Sequence, residues 1–393
     1  MARPCSWTTR ARHVGLLLAL ALARPCHGNQ DYDEYSEDSV DNETDTPDYT
    51  LCLPRSIPGY EVIRGNRSFL SISDSTRGHL NSSVTVALVP ALYTLVFLIG
   101  LPSNGLAFWI LASEIKKMTS TIFLLNLAVA DLLLIAVLPF KISYYLLGNH
   151  WLFGETMCRI VTALFYGNMY CSVLLLMSIS IDRYIAVVHP FFSRSFRSKT
   201  FAICLCMSIW IIAVASTLPL TVFQQSYDLD RSDLTLCHDV LPRHELSEYF
   251  FYHFVCLITL GFLVPLLVIL FCYISVIRVL NSNGEKYSYA IKLTILSLVI
   301  TVVFLTPSNV VLLIHYTERC LSHFGDLYVI YMICLALSTF NNCIDPFVYY
   351  YVSEEFRQKV RQKILRRGKM TVISTQTTKE ALPISSSTTQ SVV

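Results

Sequence analysis

Apolar residues run along this chain in seven long stretches, at about 84–112, 119–147, 155–188, 199–222, 247–280, 286–316 and 325–351. They are continuous rather than alternating, and about 18 or more such residues make a helix long enough to cross a bilayer. The pattern predicts an all-α integral membrane fold, a seven-helix bundle over 84–351. A shorter run, Val14 to Ala23, follows Arg3, Arg10 and Arg12 and precedes Pro25-Cys26-His27-Gly28. Ten or so apolar residues behind a basic stretch read as a signal peptide over 1–28, too short to span. Residues 29–83 then form an extracellular arm. Its first part, 29–54, carries nine acidic side chains and no basic one, a composition that buries too little apolar surface to fold alone, so the arm is expected to be disordered. Beyond the last run, 352–367 reads as an amphipathic helix resting Phe356, Val360, Ile364 and Leu365 on membrane lipid. The Ser/Thr-rich tail 368–393 is expected to be disordered.

Orientation follows from charge. Lys116 and Lys117, then Arg194, Arg197 and Lys199, then Arg278 and Lys286, and finally Arg357 through Lys369 all fall on one side of a seven-span bundle. The excess of Lys and Arg makes that side cytoplasmic, and the signal segment independently puts the amino terminus outside. The expectation is a multi-pass plasma-membrane protein. Only 15% of residues are charged, against about 25% in soluble domains. A net charge of +2 gives no reason to expect nucleic acid. Asn42, Asn66 and Asn81 each open a glycosylation sequon on the arm. Of thirteen cysteines, Cys52, Cys158, Cys237 and Cys320 face the oxidising side. A Cys158–Cys237 bridge would pin the long loop over the bundle mouth, and Cys52 with Cys320 remains by exclusion, although sequence alone does not fix partners. The absence of repeated halves argues against a transporter. No His-Glu-x-x-His or Gly-x-Ser-x-Gly motif is present, so no enzyme, catalytic residue or metal centre is expected.

Ionisable and amide groups inside the bilayer are costly and mark function. Asn104, Asp131, Asp182-Arg183-Tyr184 and Asp345-Pro346-Phe347-Val348-Tyr349 are such groups. With Cys158, Trp210, Pro265, Tyr273 and Pro307, they resemble the rhodopsin-like (class A) G-protein-coupled receptors in nearly every span. The resemblance implies a cytoplasmic switch of Asp182, Arg183, Tyr184, Tyr273 and Tyr349. It also implies an allosteric sodium site of Asp131, Ser172, Asn341, Asn342 and Asp345. Oxygen ligands suit a hard cation, and two buried carboxylates need a counter-charge or a proton. A tryptophan usual in the sixth span is missing, and Phe304 takes the aromatic position.

Phe304-x-x-Pro307-Ser308-Asn309, Cys237-His238-Asp239-Val240-Leu241, His315-Tyr316 and the Tyr349-Tyr350-Tyr351 run resemble the protease-activated receptors. Such a receptor carries its agonist behind a cleavable arginine, and the arm contains Leu53-Pro54-Arg55-Ser56-Ile57-Pro58-Gly59-Tyr60. Proline before arginine with a small residue after suits thrombin- or trypsin-like serine proteases, whose acidic pocket takes the arginine. Cutting Arg55–Ser56 would expose the tethered agonist Ser56, Ile57, Pro58, Gly59 and Tyr60, similar to that of one family member. A flexible linker of about thirty residues would hold it at an effective millimolar concentration. Its amine is expected to meet Asp239 in a pocket lined by His238, His315, Tyr316, Tyr328 and Tyr331. The acidic stretch before Arg55 could steer a basic protease surface. The resemblance further implies heterotrimeric G-protein partners of the Gq and G12/13 types, arrestin, phosphoinositide and calcium signalling, and a coagulation or platelet-type response. The alternatives are cleavage after Arg67 and a class A receptor for a diffusible peptide.

Overall fold

The computed structural model describes residues 57–64, 67–72, 74–114, 119–191, 193, 198–230, 232–242, 256–282, 288–317 and 324–352. Outside them lie the signal segment 1–28, the acidic stretch with Asn42, Cys52, Arg55, Ser56, Asn66 and Cys320. The membrane-lying helix expected after 352 and the tail also lie outside.

Seven helices are long and apolar enough to cross a membrane. The first span is α2 (Val89–Glu114), entered through a π-helical turn at Val84–Leu88. The second is α3 (Thr119–Leu146), the third α4 (Gly154–Val188) and the fourth α5 (Lys199–Val222). The fifth is a π turn at Thr259–Leu263 running into α6 (Val264–Ser282), and the sixth is α7 (Ser288–Thr317). The second to fourth spans match the sequence expectation to within one residue at each end. Their outward faces carry exposed apolar side chains such as Leu98, Trp109, Ile211, Val214 and Phe271, as expected where the solvent is lipid.

The seventh apolar run is not one helix. It divides into α8 (Phe324–Ser338) and α9 (Phe340–Val352), with Thr339 between them. The run Ser338-Thr339-Phe340-Asn341-Asn342 competes locally for backbone groups: the Ser338 hydroxyl donates to the Leu335 carbonyl at 2.7 Å and that of Thr339 to Ala336 at 2.6 Å. Pro346 adds to the break. Having no N–H, it leaves the Asn342 carbonyl without its helical donor. Asn104 of the first span supplies one, its Nδ2 donating to that carbonyl at 2.7 Å. A polar side chain in an apolar helix thus satisfies a proline-freed carbonyl on another helix.

The arm departs from expectation more sharply. Residues 57–80 are folded: β1 (Ile57–Arg64) pairs antiparallel with β2 (Arg67–Ser71), and α1 (Asp74–Leu80) follows. The acidic composition that forbids folding ends at Asp48. After it come Val62, Phe69, Leu70 and Ile72, of which Leu70 and Ile72 are buried. Leu70, Ile72 and Leu80 join the same apolar core as Tyr93, Tyr145, Phe165, Leu236 and Tyr328. The thirty-residue flexible linker expected from sequence is therefore largely ordered.

Between the fourth and fifth spans, β3 (Ser226–Asp228) and β4 (Thr235–Cys237) form a hairpin, followed by β5 (Val240–Pro242). The Cys158–Cys237 disulfide ties this loop to the third span. Glu155 reinforces it, accepting from the backbone N–H groups of Gln225 at 2.9 Å and Ser226 at 2.7 Å and from the Ser226 hydroxyl at 2.6 Å, while pairing with Arg159. Three strands lie side by side in the order β2-β1-β5.

Candidate functional site at the bundle mouth and along its axis

At the outer end, Asp239 is only 6% exposed. Its Oδ2 accepts from the Tyr144 hydroxyl at 2.8 Å. Tyr328 is buried beside the same carboxylate. Lys141, one turn before Tyr144, is equally buried, with its Nζ 4.8 Å from the Phe165 ring centroid. Burial pushes the Asp239 carboxyl above the ordinary carboxylate range, and the Lys141 charge and the Tyr144 bond pull it back. Asp239 is thus an acid taken out of water beside one cation and a tyrosine hydroxyl.

The neighbouring His238 does something different. Its Nδ1 lies 2.7 Å from Gln225 Oε1, its backbone N–H donates to the Gln225 carbonyl at 2.8 Å, and its ring packs 5.1 Å from that of Tyr166. With φ at 66°, His238 is the bend that lets the chain turn from β4 to Asp239. Tyr331 is buried in the same region. His315 and Tyr316 lie on α7, their side chains outside the description. Immediately beyond Asp239, β5 pairs in parallel with β1, Ile57 against Val240, Pro58 against Leu241 and Gly59 against Pro242. The segment expected to be the agonist therefore lies along the loop expected to receive it.

Mid-bundle, Asp131 and Asn341 are fully buried, and Ser172, Asn342 and Asp345 nearly so. Asn341 Nδ2 donates to Asp345 Oδ2 at 3.1 Å, Asn342 Nδ2 to Asn168 Oδ1 at 2.9 Å, and Asn168 Nδ2 to the Ala130 carbonyl at 2.6 Å. Both Asp131 oxygens, Ser172 Oγ and Asn341 Oδ1 are buried without a hydrogen-bond partner. Ser172 also lines a small cavity of about 10 Å³, with Asn168, Ser338, Thr339 and Asn342 on its polar side and Leu134, Phe165, Met169 and Leu305 on its apolar side. Unsatisfied oxygens around a carboxylate fit a hard cation. Phe304 stacks on Phe340, ring centroids 6.1 Å apart and 18° from parallel, linking the sixth span to the break in the seventh.

At the inner end, Ser120 Oγ donates to Asp182 Oδ2 at 2.6 Å, so the second span holds the acid next to Arg183. Tyr184 meets His189 at 3.1 Å and packs against Phe271. The buried Tyr273 hydroxyl lies 3.4 Å from Ser297 Oγ. Tyr349 is on α9, its side chain outside the description. Trp210 Nε1 donates to Asn126 Oδ1 at 3.0 Å, joining the fourth span to the second.

Sequence reasoning missed Lys141, Tyr144, Glu155 and the arm residues Leu70 and Arg77. A lysine in the second apolar run was a signal in plain sight, since a charge at that depth marks function. Asn81 is exposed in the turn after α1, open to a glycan.

A bundle of seven spans with a buried acid at its outer end, a polar core, and Asp182 next to Arg183 in the chain at its inner end has the layout of a membrane receptor. The family model for the seven-transmembrane receptors of the rhodopsin family matches residues 103–349. The chain is 45% identical over 353 residues to human proteinase-activated receptor 4, covering 90% of this chain and 91% of that one. It is 46% identical over 340 residues to the rat receptor 4 (86% and 85%) and 42% identical over 288 residues to human proteinase-activated receptor 3 (73% and 77%). The chain belongs to the rhodopsin family of G-protein-coupled receptors and, within it, to the proteinase-activated receptors. It is a multi-pass plasma-membrane receptor of a family that is not an enzyme class.

Proposed function

We propose that a thrombin- or trypsin-like serine protease cuts Arg55–Ser56, and that the new amino terminus is an agonist for the bundle from which it hangs. The observation that carries this reading is the register of Ile57–Gly59 on Val240–Pro242. On this reading the new Ser56 ammonium, one residue ahead of Ile57 in the chain, is directed to Asp239, one residue ahead of Val240. There an ammonium finds a buried carboxylate, Tyr144 and Tyr328. Neutralising a buried acid changes the balance of charge around Lys141 and the tyrosines of the second and seventh spans, and Tyr328 opens the path through α8 to the Thr339 break and the Phe304–Phe340 stack. Cleavage after Arg67 fits less well, because Arg67 and Ser68, the two residues that flank that bond, are both paired inside the β hairpin. The test is calcium signalling by cells carrying wild type or Arg55→Ala, each exposed to thrombin and to trypsin.

On the cytoplasmic side, the reading has Arg183 released from Asp182 to meet a heterotrimeric G protein of the Gq or G12/13 type, with Tyr273 and Tyr349 closing on it. Arrestin is the second cytoplasmic partner, and the response is phosphoinositide and calcium signalling of a platelet or coagulation type. Asp131, Ser172, Asn341, Asn342 and Asp345 hold sodium, which supplies the positive charge that two buried carboxylates lack. An ion bound only by the folded receptor stabilises it by about 1.4 kcal/mol at ten times its dissociation constant. Replacing N-methylglucamine by sodium at constant ionic strength is therefore expected to raise the Tm of the purified receptor and to leave Asp131→Asn unmoved. Equal Tm values for wild type in the two salts would count against the ion.

A further inference from the structure

Residues 67–80 do more than connect the agonist strand to the first span. Leu70 is 1% exposed. Its carbonyl accepts the Asp230 N–H at 2.8 Å, and it bridges Leu229 in parallel register. Seven positions on, Arg77 Nη2 donates to the Asp230 carbonyl at 3.0 Å. The arm thus holds both backbone groups of Asp230, in the turn between β3 and β4. A third mooring lies at the end of α1, where the Leu80 carbonyl accepts from Asn149 Nδ2 at 2.6 Å. Asn149 is itself 1% exposed, at the connection between the second and third spans. Hung on this moored return strand, Tyr60↔Ser71 through Arg64↔Arg67, is β1, whose leading end lies on β5. All the mooring residues lie outside the agonist segment Ser56–Tyr60.

We infer that Leu70 and Arg77 are positioning residues for the tethered agonist, mooring the arm to the second extracellular loop so that the agonist strand is already in register on Val240–Pro242 while the Arg55–Ser56 bond is intact. The inference rests on the proposed cleavage after Arg55. Scission then adds one group, the ammonium, to a strand already laid beside its receptor. A free thirty-residue coil has an end-to-end spread of roughly 30 Å, and its tip must surrender that freedom to dock. A strand held by a hairpin with three moorings has surrendered most of it before the cut. A soluble peptide of the same sequence gains nothing from the moorings and competes with the chain's own strand for β5.

The experiment uses full-length receptor with an epitope ahead of Arg55, at matched surface expression. Arg77→Ala and the Leu70→Asp/Arg77→Ala double variant are expected to lose the epitope to protease at the wild-type rate. Their calcium response to protease should be weaker, tenfold or more in the double variant. Their response to soluble Ser-Ile-Pro-Gly-Tyr-Glu should be undiminished or stronger. A parallel fall in both responses would make these residues merely structural, and an undiminished protease response would show an unmoored tether; either result overturns the inference. Cross-linking the arm through Leu70→Cys/Leu229→Cys guards against misfolding in the Asp variant. The cross-link should preserve the protease response and restore it to Arg77→Ala, whereas loss of response on cross-linking would mean the arm must leave the loop. Failure of the cleavage reading itself is read separately, as a protease response that survives Arg55→Ala.

Discussion

Arg55→Ala is expected to abolish the calcium response to thrombin and to cut that to trypsin at least a hundredfold, while leaving the response to soluble Ser-Ile-Pro-Gly-Tyr-Glu at wild-type potency. The magnitude follows from the protease. Its specificity pocket buries a carboxylate for the substrate guanidinium, and removing one partner of such a buried pair costs about 3–5 kcal/mol, or two to three and a half orders of magnitude in rate. The direction of the peptide result follows from the receptor. Arg55 lies ahead of the agonist and takes no part in docking it, so a supplied peptide with the free amine bypasses the lesion. A variant that lost both responses would be damaged in folding or transport; one that kept both would remove Arg55 from the mechanism. Trypsin is the harder case, because Arg64 and Arg67 are also arginines. Their pairing in the hairpin is the reason only a small residual response is expected.

The second large effect is expected at Asp239. Asp239→Asn keeps the shape and the hydrogen-bonding edge but removes the charge, so a charge-assisted bond worth about 1.5–3 kcal/mol is lost and peptide potency should fall roughly 10- to 150-fold. Acetylating the peptide amine should cost a similar factor in wild type. In Asp239→Asn it should cost little more, because both changes remove the same interaction. Additive losses would place the amine elsewhere. The pH profile gives a further check. Burial holds the Asp239 carboxyl above the usual range, so acidification from neutral protonates it sooner than a surface acid and weakens the peptide. The peptide's own amine, with an ordinary pKa near 8, is charged throughout that window and cannot be the cause. The part of the slope that Asp239→Asn flattens belongs to the carboxylate.

Much of this was legible along the chain. Continuous apolar runs fix the seven spans, the second to fourth to within one residue at each end, because in lipid a helix satisfies nearly all of its backbone groups within its own segment, and loop charge fixes their direction. Asp131, Asp182 and Asp345 stand out for the same reason. Less legible was whatever depends on one segment meeting another distant in sequence. The break at Thr339 needs Asn104 to rescue the carbonyl freed by Pro346, a partner 238 residues away. The folded arm was hidden by its acidic neighbour, although Arg64-Gly65-Asn66-Arg67 carries the two-residue Gly-Asn link typical of a hairpin and Phe69 to Ile72 the apolar return strand. What makes it fold is the loop it leans on: Leu70 and Arg77 have no reason to order until Leu229 and Asp230 are beside them. Lys141 stands near the end of an apolar run, where a single lysine commonly reaches to the interface. Its burial against Phe165 and near Asp239 shows otherwise.

The identity of the new amino terminus tests the central claim most directly. Receptor captured from the cell surface after brief thrombin treatment, with the freshly exposed amine labelled and the terminal peptide sequenced by mass spectrometry, should begin at Ser56 with Ile57-Pro58-Gly59-Tyr60 behind it, and its appearance should keep pace with the calcium response. A terminus at Ser68, or calcium release from chains still intact through Arg55–Ser56, would contradict the account.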